Sequence, residues 1–127
     1  MTKEQLVKDC LAMPDSTLSH PYGKEVDVIK NGKGKSFALI GILATTDVNS
    51  IKKNCDPDAH ITEGDIFITL KFPQQLIYTL RDQYKSVFAG YYSNKDHWNT
   101  IILNKDCPYD EIKKFISISH DMVTPKK

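Results

Sequence analysis

The stretch Glu25-Val26-Asp27-Val28-Ile29-Lys30-Asn31-Gly32-Lys33-Gly34-Lys35-Ser36-Phe37-Ala38-Leu39-Ile40-Gly41-Ile42 decides the fold. Residues 25–30 alternate, with Val26 and Val28 on one face, which is the two-residue period of a strand. Residues 35–42 form a mostly apolar run and read as a second, more buried strand. Between them Asn31, Gly32 and Gly34 accept the positive φ that tight connections demand, so the two strands are expected to be antiparallel neighbours. Working outward, residues 65–71 alternate again. Ile66, Ile68 and Leu70 stand opposite Phe67 and Thr69, giving a third strand.

Helical periods flank these strands. Thr2 and Gln5 have the spacing of a capping box, and Leu6, Val7, Cys10 and Leu11 share one face at helical spacing, which predicts a helix over 3–13 ended by Pro14. Pro73 suits a first helical position, and Leu76, Ile77, Leu80 and Tyr84 predict a helix over 73–84 whose start lacks the usual capping side chain. After a connection containing Gly90, residues 97–103 read as another strand. Asp106, Pro108, Asp110 and Glu111 place a proline and acids in the first turn of a final helix. Its Ile112, Phe115, Ile116, Ser119 and Val123 face inward, while Lys113 and Lys114 face solvent.

Residues 43–64 are too many for a structureless loop in a compact domain. Either a short helix covers Val48 to Lys53, capped by Thr46 or Asp47, or the hairpin strands extend outward; residues 54–58 form a turn in both cases. There is no internal repeat and no linker, so residues 1–127 are expected to form one domain.

The chain has 127 residues, 40% hydrophobic and 26% charged, enough for a core without disulfide or metal staples. Its net charge is +1, so any nucleic-acid role must rest on local charge. Cys10, Cys55 and Cys107 are odd in number and contain no C-x-x-C pair, which reads as reduced thiols. No apolar run approaches the roughly 20 residues of a membrane span, and the first residues carry no signal-peptide core. A cytoplasmic protein without membrane contact is expected.

Gly90-Tyr91-Tyr92-Ser93-Asn94-Lys95-Asp96-His97-Trp98-Asn99-Thr100 closely resembles the signature of the MmcQ/YjbR family, G-Y-x-x-N-K-x-H-W-N-T. Gly90, Tyr91, Asn94, Lys95, His97, Trp98, Asn99 and Thr100 match. Supporting pieces stand in order: Ala12-Met13-Pro14, His20-Pro21-Tyr22-Gly23, Gly34-Lys35-Ser36-Phe37-Ala38, Leu70-Lys71 and Asp110-Glu111-Ile112 with Ser119. The resemblance covers nearly the whole chain. It implies an α+β fold, a two-layer α/β sandwich whose antiparallel sheet follows the order α-β(3)-α-β(2)-α, similar to secretion-chaperone-like and frataxin-like sheets. Residues 43–64 are longer than the family's usual connection, and Phe72-Pro73-Gln74 lacks its usual cap.

The resemblance also implies DNA binding, and the residues offer a route. Lys30, Lys33 and Lys35, with Lys24 taken as nearby, would form a basic wing that straddles phosphates while glycine amides approach closely. Lys95, His97, Trp98 and Asn99 would add a phosphate contact, a stacking ring and a base-edge amide. Strand alternation puts His97 and Asn99 on one face and Trp98 on the other. The sharper expectation is therefore that His97, Asn99 and Lys95 line an exposed site while Trp98 anchors it. The plain alternatives are a solvated hairpin turn and a motif that satisfies buried backbone groups.

A second hypothesis is a module that binds a protein or small ligand in a groove around Tyr22, Tyr91, His97 and Asn99. No catalytic fingerprint is present. His20, His60, His97 and His120 lack metal-ligand spacing, and Asp56-x-Asp58-x-His60 lacks the glycine and distal glutamate of a calcium loop, so neither metal nor cofactor is expected. Cys10 on an apolar face and Cys107 at a cap position read as structural thiols.

Overall fold

In the computed structural model the alternation at 25–42 becomes two antiparallel strands joined by a turn that one side chain organises. Residues 1–90 and 96–124 are described. The elements are α1 (Lys3–Leu11), β1 (Thr17–Ser19), β2 (Val26–Lys30), β3 (Ser36–Ile42), α2 (Thr45–Asn54), β4 (Ile66–Lys71), α3 (Gln74–Gln83), β5 (Val87–Ala89), β6 (Trp98–Ile102) and α4 (Tyr109–Val123). The strands pair as one antiparallel sheet of order β1-β2-β3-β4-β6-β5. The expected α-β(3)-α-β(2)-α succession is present as α1, β2 to β4, α3, β5 and β6, and α4. To it the chain adds an edge strand, β1, and α2 between β3 and β4.

In the β2–β3 turn Asn31 is only 3% exposed. Its Oδ1 accepts from the amides of Lys33 at 3.0 Å and Lys35 at 2.9 Å, while Nδ2 donates to the Val123 carbonyl at 2.9 Å. Gly34 takes the positive φ expected of such a turn, 77°. The tip is thereby fastened to the end of α4. Phe37 is an extra residue in β3, since Ile29 stands opposite Ala38 but Lys30 opposite Ser36. This bulge turns its ring toward α4, where it meets His120 edge-on with centroids 4.9 Å apart.

The sheet buries both faces unequally. One face carries Ile29, Ile40, Ile68, Leu70 and Ile101 against Leu6 and Cys10 of α1, Ile77 and Leu80 of α3, and Ile112, Phe115 and Ile116 of α4. Each large side chain removed from water there contributes roughly 1.5–3 kcal/mol before entropy is counted. Ser119 fastens α4 to two strands, donating to the Phe37 carbonyl at 2.5 Å and accepting from the Lys71 amide at 2.8 Å. On the second face α2 and the segment after it lay Ile51, Ala59 and Ile61 over Phe67, Phe88 and Ile102. Residues 43–64 thus take the helical alternative, as a local third layer at one end of the sheet, but α2 begins at Thr45 behind Ala44, so Thr46 and Asp47 lie inside its first turn and Asp47 accepts the Ala44 amide at 2.8 Å.

Four expectations at helix ends are corrected. The first helix ends at Leu11, not residue 13, and only half of the capping box forms: Thr2 Oγ1 accepts from the Gln5 amide, while the Gln5 side chain turns to Asp9. Pro108, not Cys107, precedes the final helix. Asp106 lies outside that helix's first turn and instead receives the amides of Lys85 at 2.6 Å and Ser86 at 3.0 Å.

Burial raises the Asp106 pKa, but hydrogen bonds from Ser86 and Lys85 outweigh it, leaving the carboxyl below its ordinary value. A depressed folded-state pKa stabilises the protein above the unfolded-state pKa and is lost as pH falls through the folded one. Asp106→Asn is therefore expected to melt lower than the parent at pH 7, with the two melting temperatures converging as pH drops through the aspartate range. Thermal melts across that range check it.

Candidate functional site

Strand registers give the sheet two ends. Lys30 opposite Ser36, Lys71 opposite Trp98 and Ala89 opposite Asn99 mark one; Val26 opposite Gly41 and Phe67 opposite Ile102 mark the other. The turn with Lys33 and Lys35 lies at the first end, and so does His97, whose carbonyl accepts the Phe72 amide at 2.9 Å. Lys24 does not. It lies in the turn before β2 at the far end, while β2 itself spans roughly 13 Å from Val26 to Lys30 at about 3.3 Å per residue, so the structure removes it from the expected wing.

Alternation then sorts the side chains by face. Thr69 and Thr100 share a side-chain hydrogen bond of 2.8 Å on the second face, which places Lys71, Trp98 and Lys30 on that same face at the turn end. All three are half-buried, and Lys33 and Lys35 beside them are exposed. Neighbouring strands lie about 4.8 Å apart, so Lys30 on β2 and Lys71 on β4 are roughly 10 Å apart across the sheet. Lys71 and Trp98 are direct cross-strand neighbours. Asp15 borders the turn, its Cβ 3.0 Å from where a Cβ on Gly32 would stand.

The motif residues exchange the roles expected of them. Asn99 is 0% exposed and lies under α3. Its Oδ1 accepts from Arg81 Nε at 2.6 Å, and its Nδ2 donates to the Ile77 carbonyl at 3.1 Å. An amide spent at both ends inside the core reads no base edge, so Asn99 is the anchor and Trp98 the half-open ring. Arg81 also reaches the Trp98 carbonyl at 3.3 Å and lies over the Tyr78 ring. The motif glycine has a packing reason: a Cβ on Gly90 would stand 2.8 Å from Trp98 Cβ and 3.0 Å from the Trp98 carbonyl oxygen. Tyr91, Asn94 and Lys95 lie outside the described residues. The groove expected around Tyr22, Tyr91, His97 and Asn99 loses Asn99 to the core and Tyr22 to the far end.

Two more expectations change. The amides of Lys33, Gly34 and Lys35 point inward to Asn31 atoms, so the Gly34 amide is not offered to a phosphate. Lys71 joins the site although the sequence reading passed over it; the available signal was a lysine closing an alternating strand. Among ionisable groups elsewhere, burial and then Asp9 push the Cys10 thiol up to about 12, and burial, Asp106 and Glu111 push Cys107 up to about 12. Both are neutral thiols near pH 7. Among the described residues no cluster of three or more His, Cys, Asp or Glu side chains is placed to hold a metal ion, and no helix is long and apolar enough to cross a membrane.

A family model described as YjbR matches residues 11–122. The chain belongs to the YjbR family. Its fold is similar to that of a Pseudomonas syringae protein solved by crystallography, with a TM-score of 0.77 and 22% identity over 98% of this chain and 100% of that one. A Deinococcus radiodurans protein with a domain described as DUF419 superposes with a TM-score of 0.75 and 26% identity, over 98% of this chain and 80% of that one. No curated protein matches the YjbR chain. These likenesses establish the fold, four helices on and around an open antiparallel sheet, and leave the function of the lysine-bearing end to physical argument.

Proposed function

We propose that this YjbR protein is a non-enzymatic module that binds duplex DNA through its phosphate backbone, at the end of the sheet carrying the β2–β3 turn. The observation that supports this is the placement of Lys30, Lys33, Lys35 and Lys71 at one sheet end, around a turn fastened by Asn31 to α4. Phosphate contact by ammonium groups gives affinity and register without sequence choice. Trp98, half-open beside Lys71, supplies an apolar ring to sugar or base. Asn99 is committed to the core and offers no amide to a base edge, so the phosphate contacts carry the binding and it is sequence-tolerant. A cytoplasmic place of action fits three cysteines that are all free.

Fluorescence anisotropy with a labelled generic duplex tests this. Four lysines on phosphates give a log–log salt slope of about −3 to −4. The triple variant Lys30→Gln, Lys33→Gln, Lys35→Gln is expected to lower that slope by about 3 for any duplex sequence. Absence of salt-dependent binding at micromolar protein and low salt removes the proposal.

A further inference from the structure

At the opposite end of the sheet, away from the lysines, the second face opens into a cleft of about 480 Å³. Its floor is Ala59, Ile61 and Phe88, each below 8% exposed, and its volume falls in the range of small-ligand sites. One wall is the turn after α2, with Asp56 and Asp58; the other is the start of β5 with Lys85, beside Lys105 and Asp106.

Most of the lining charge is already engaged. Lys105 is 3.4 Å from Asp65, Asp106 receives the Lys85 and Ser86 amides, and Asp56 Oδ1 accepts the Asp58 amide at 2.9 Å. Among the described residues, neither the Asp58 carboxylate nor the Lys85 ammonium is in an ion pair. The cleft therefore has an apolar floor between an uncommitted carboxylate on one wall and an uncommitted ammonium on the other. With three carboxylates against two ammoniums it disfavours a simple anion, which separates it from the basic end.

We propose that this cleft binds a short apolar peptide with free ends, its ammonium toward Asp58 and Asp56, its carboxylate toward Lys85, and its side chains on Phe88 and Ile61. Charges at opposite ends of an apolar body match the walls; a free amino acid, whose charges are adjacent, does not. The inference is independent of nucleic-acid binding.

Titration of the isotope-labelled full chain with four related probes, read from backbone amide shifts, tests it. The probes are leucyl-leucine, its N-acetyl form, its C-terminal amide, and the compound blocked at both ends. Leucyl-leucine is expected to bind about tenfold more tightly than either singly blocked form, since each blocked end forfeits one charge-assisted contact. Ile61, Ser86 and Phe88 amides are expected to shift. Lys85→Gln should abolish the preference for a free carboxylate and Asp58→Asn the preference for a free ammonium; both residues are exposed, so neither change threatens the fold. Equal binding of all four probes, or no shift at these amides, overturns the proposal.

Discussion

Phe67→Ala should lower the stability of the protein by about 3–5 kcal/mol, the cost of deleting a buried aromatic ring and leaving a cavity. Phe67 is 1% exposed in the second-face cluster that also holds Leu43, Ile51, Ile61 and Ile102, and its ring lies over Gly41 of β3. It is the sheet residue on which the inserted segment rests. The loss is therefore expected to be uneven: hydrogen exchange in residues 45–61 should accelerate more than in β3, β4 or α4, because those are held by the larger cluster on the other face. Chemical denaturation gives the total, and exchange mapped by residue gives the distribution. A uniform rise in exchange would show that the second face has no separate cooperativity.

Asn99→Ala should cost about 2–4 kcal/mol, mostly through the groups left behind. The Ile77 carbonyl, inside α3, loses its side-chain donor, and the Arg81 guanidinium loses an acceptor at 2.6 Å. Arg81 is half-buried and can turn partly to water, which keeps the cost below that of a fully enclosed charge. This variant also separates two roles for the motif. If Asn99 is an anchor, its loss lowers the melting temperature while duplex affinity, measured well below that temperature, stays unchanged. A base-reading Asn99 would give the reverse pattern.

Much of the architecture was legible because local chemistry and period agreed. Asn31 and Gly34 announce a tight turn, the alternation at 65–71 announces a strand, and Ile112, Phe115, Ile116 and Ser119 announce the buried stripe of α4. The short edge strands were not legible. Thr17–Ser19 has an exposed, polar pattern, and Val87–Ala89 has three residues, too few for a period to show. Both exist through pairing with β2 and β6, information held by the partner strand.

The site was legible only in part. Alternation showed that Trp98 and Asn99 point to opposite faces, but in a sheet buried on both sides it does not say which face is the deeper. Arg81 decides that, and it lies 18 residues away in α3. Lys24 was misplaced because nearness in sequence along an extended strand is distance in space. Residues 43–64 gave no single period, since α2 buries one residue fully, Ile51, against the sheet.

The claim on which the functional reading rests is that phosphates are met at the turn end of the sheet. Amide chemical shifts of the full chain during titration with a generic duplex at low salt test it most directly. The expected result is movement concentrated in residues 30–35, at Lys71 and Phe72 and at His97 and Trp98, fading together as salt rises. Shifts centred on α2 and the 56–61 segment, or none at all, would contradict it.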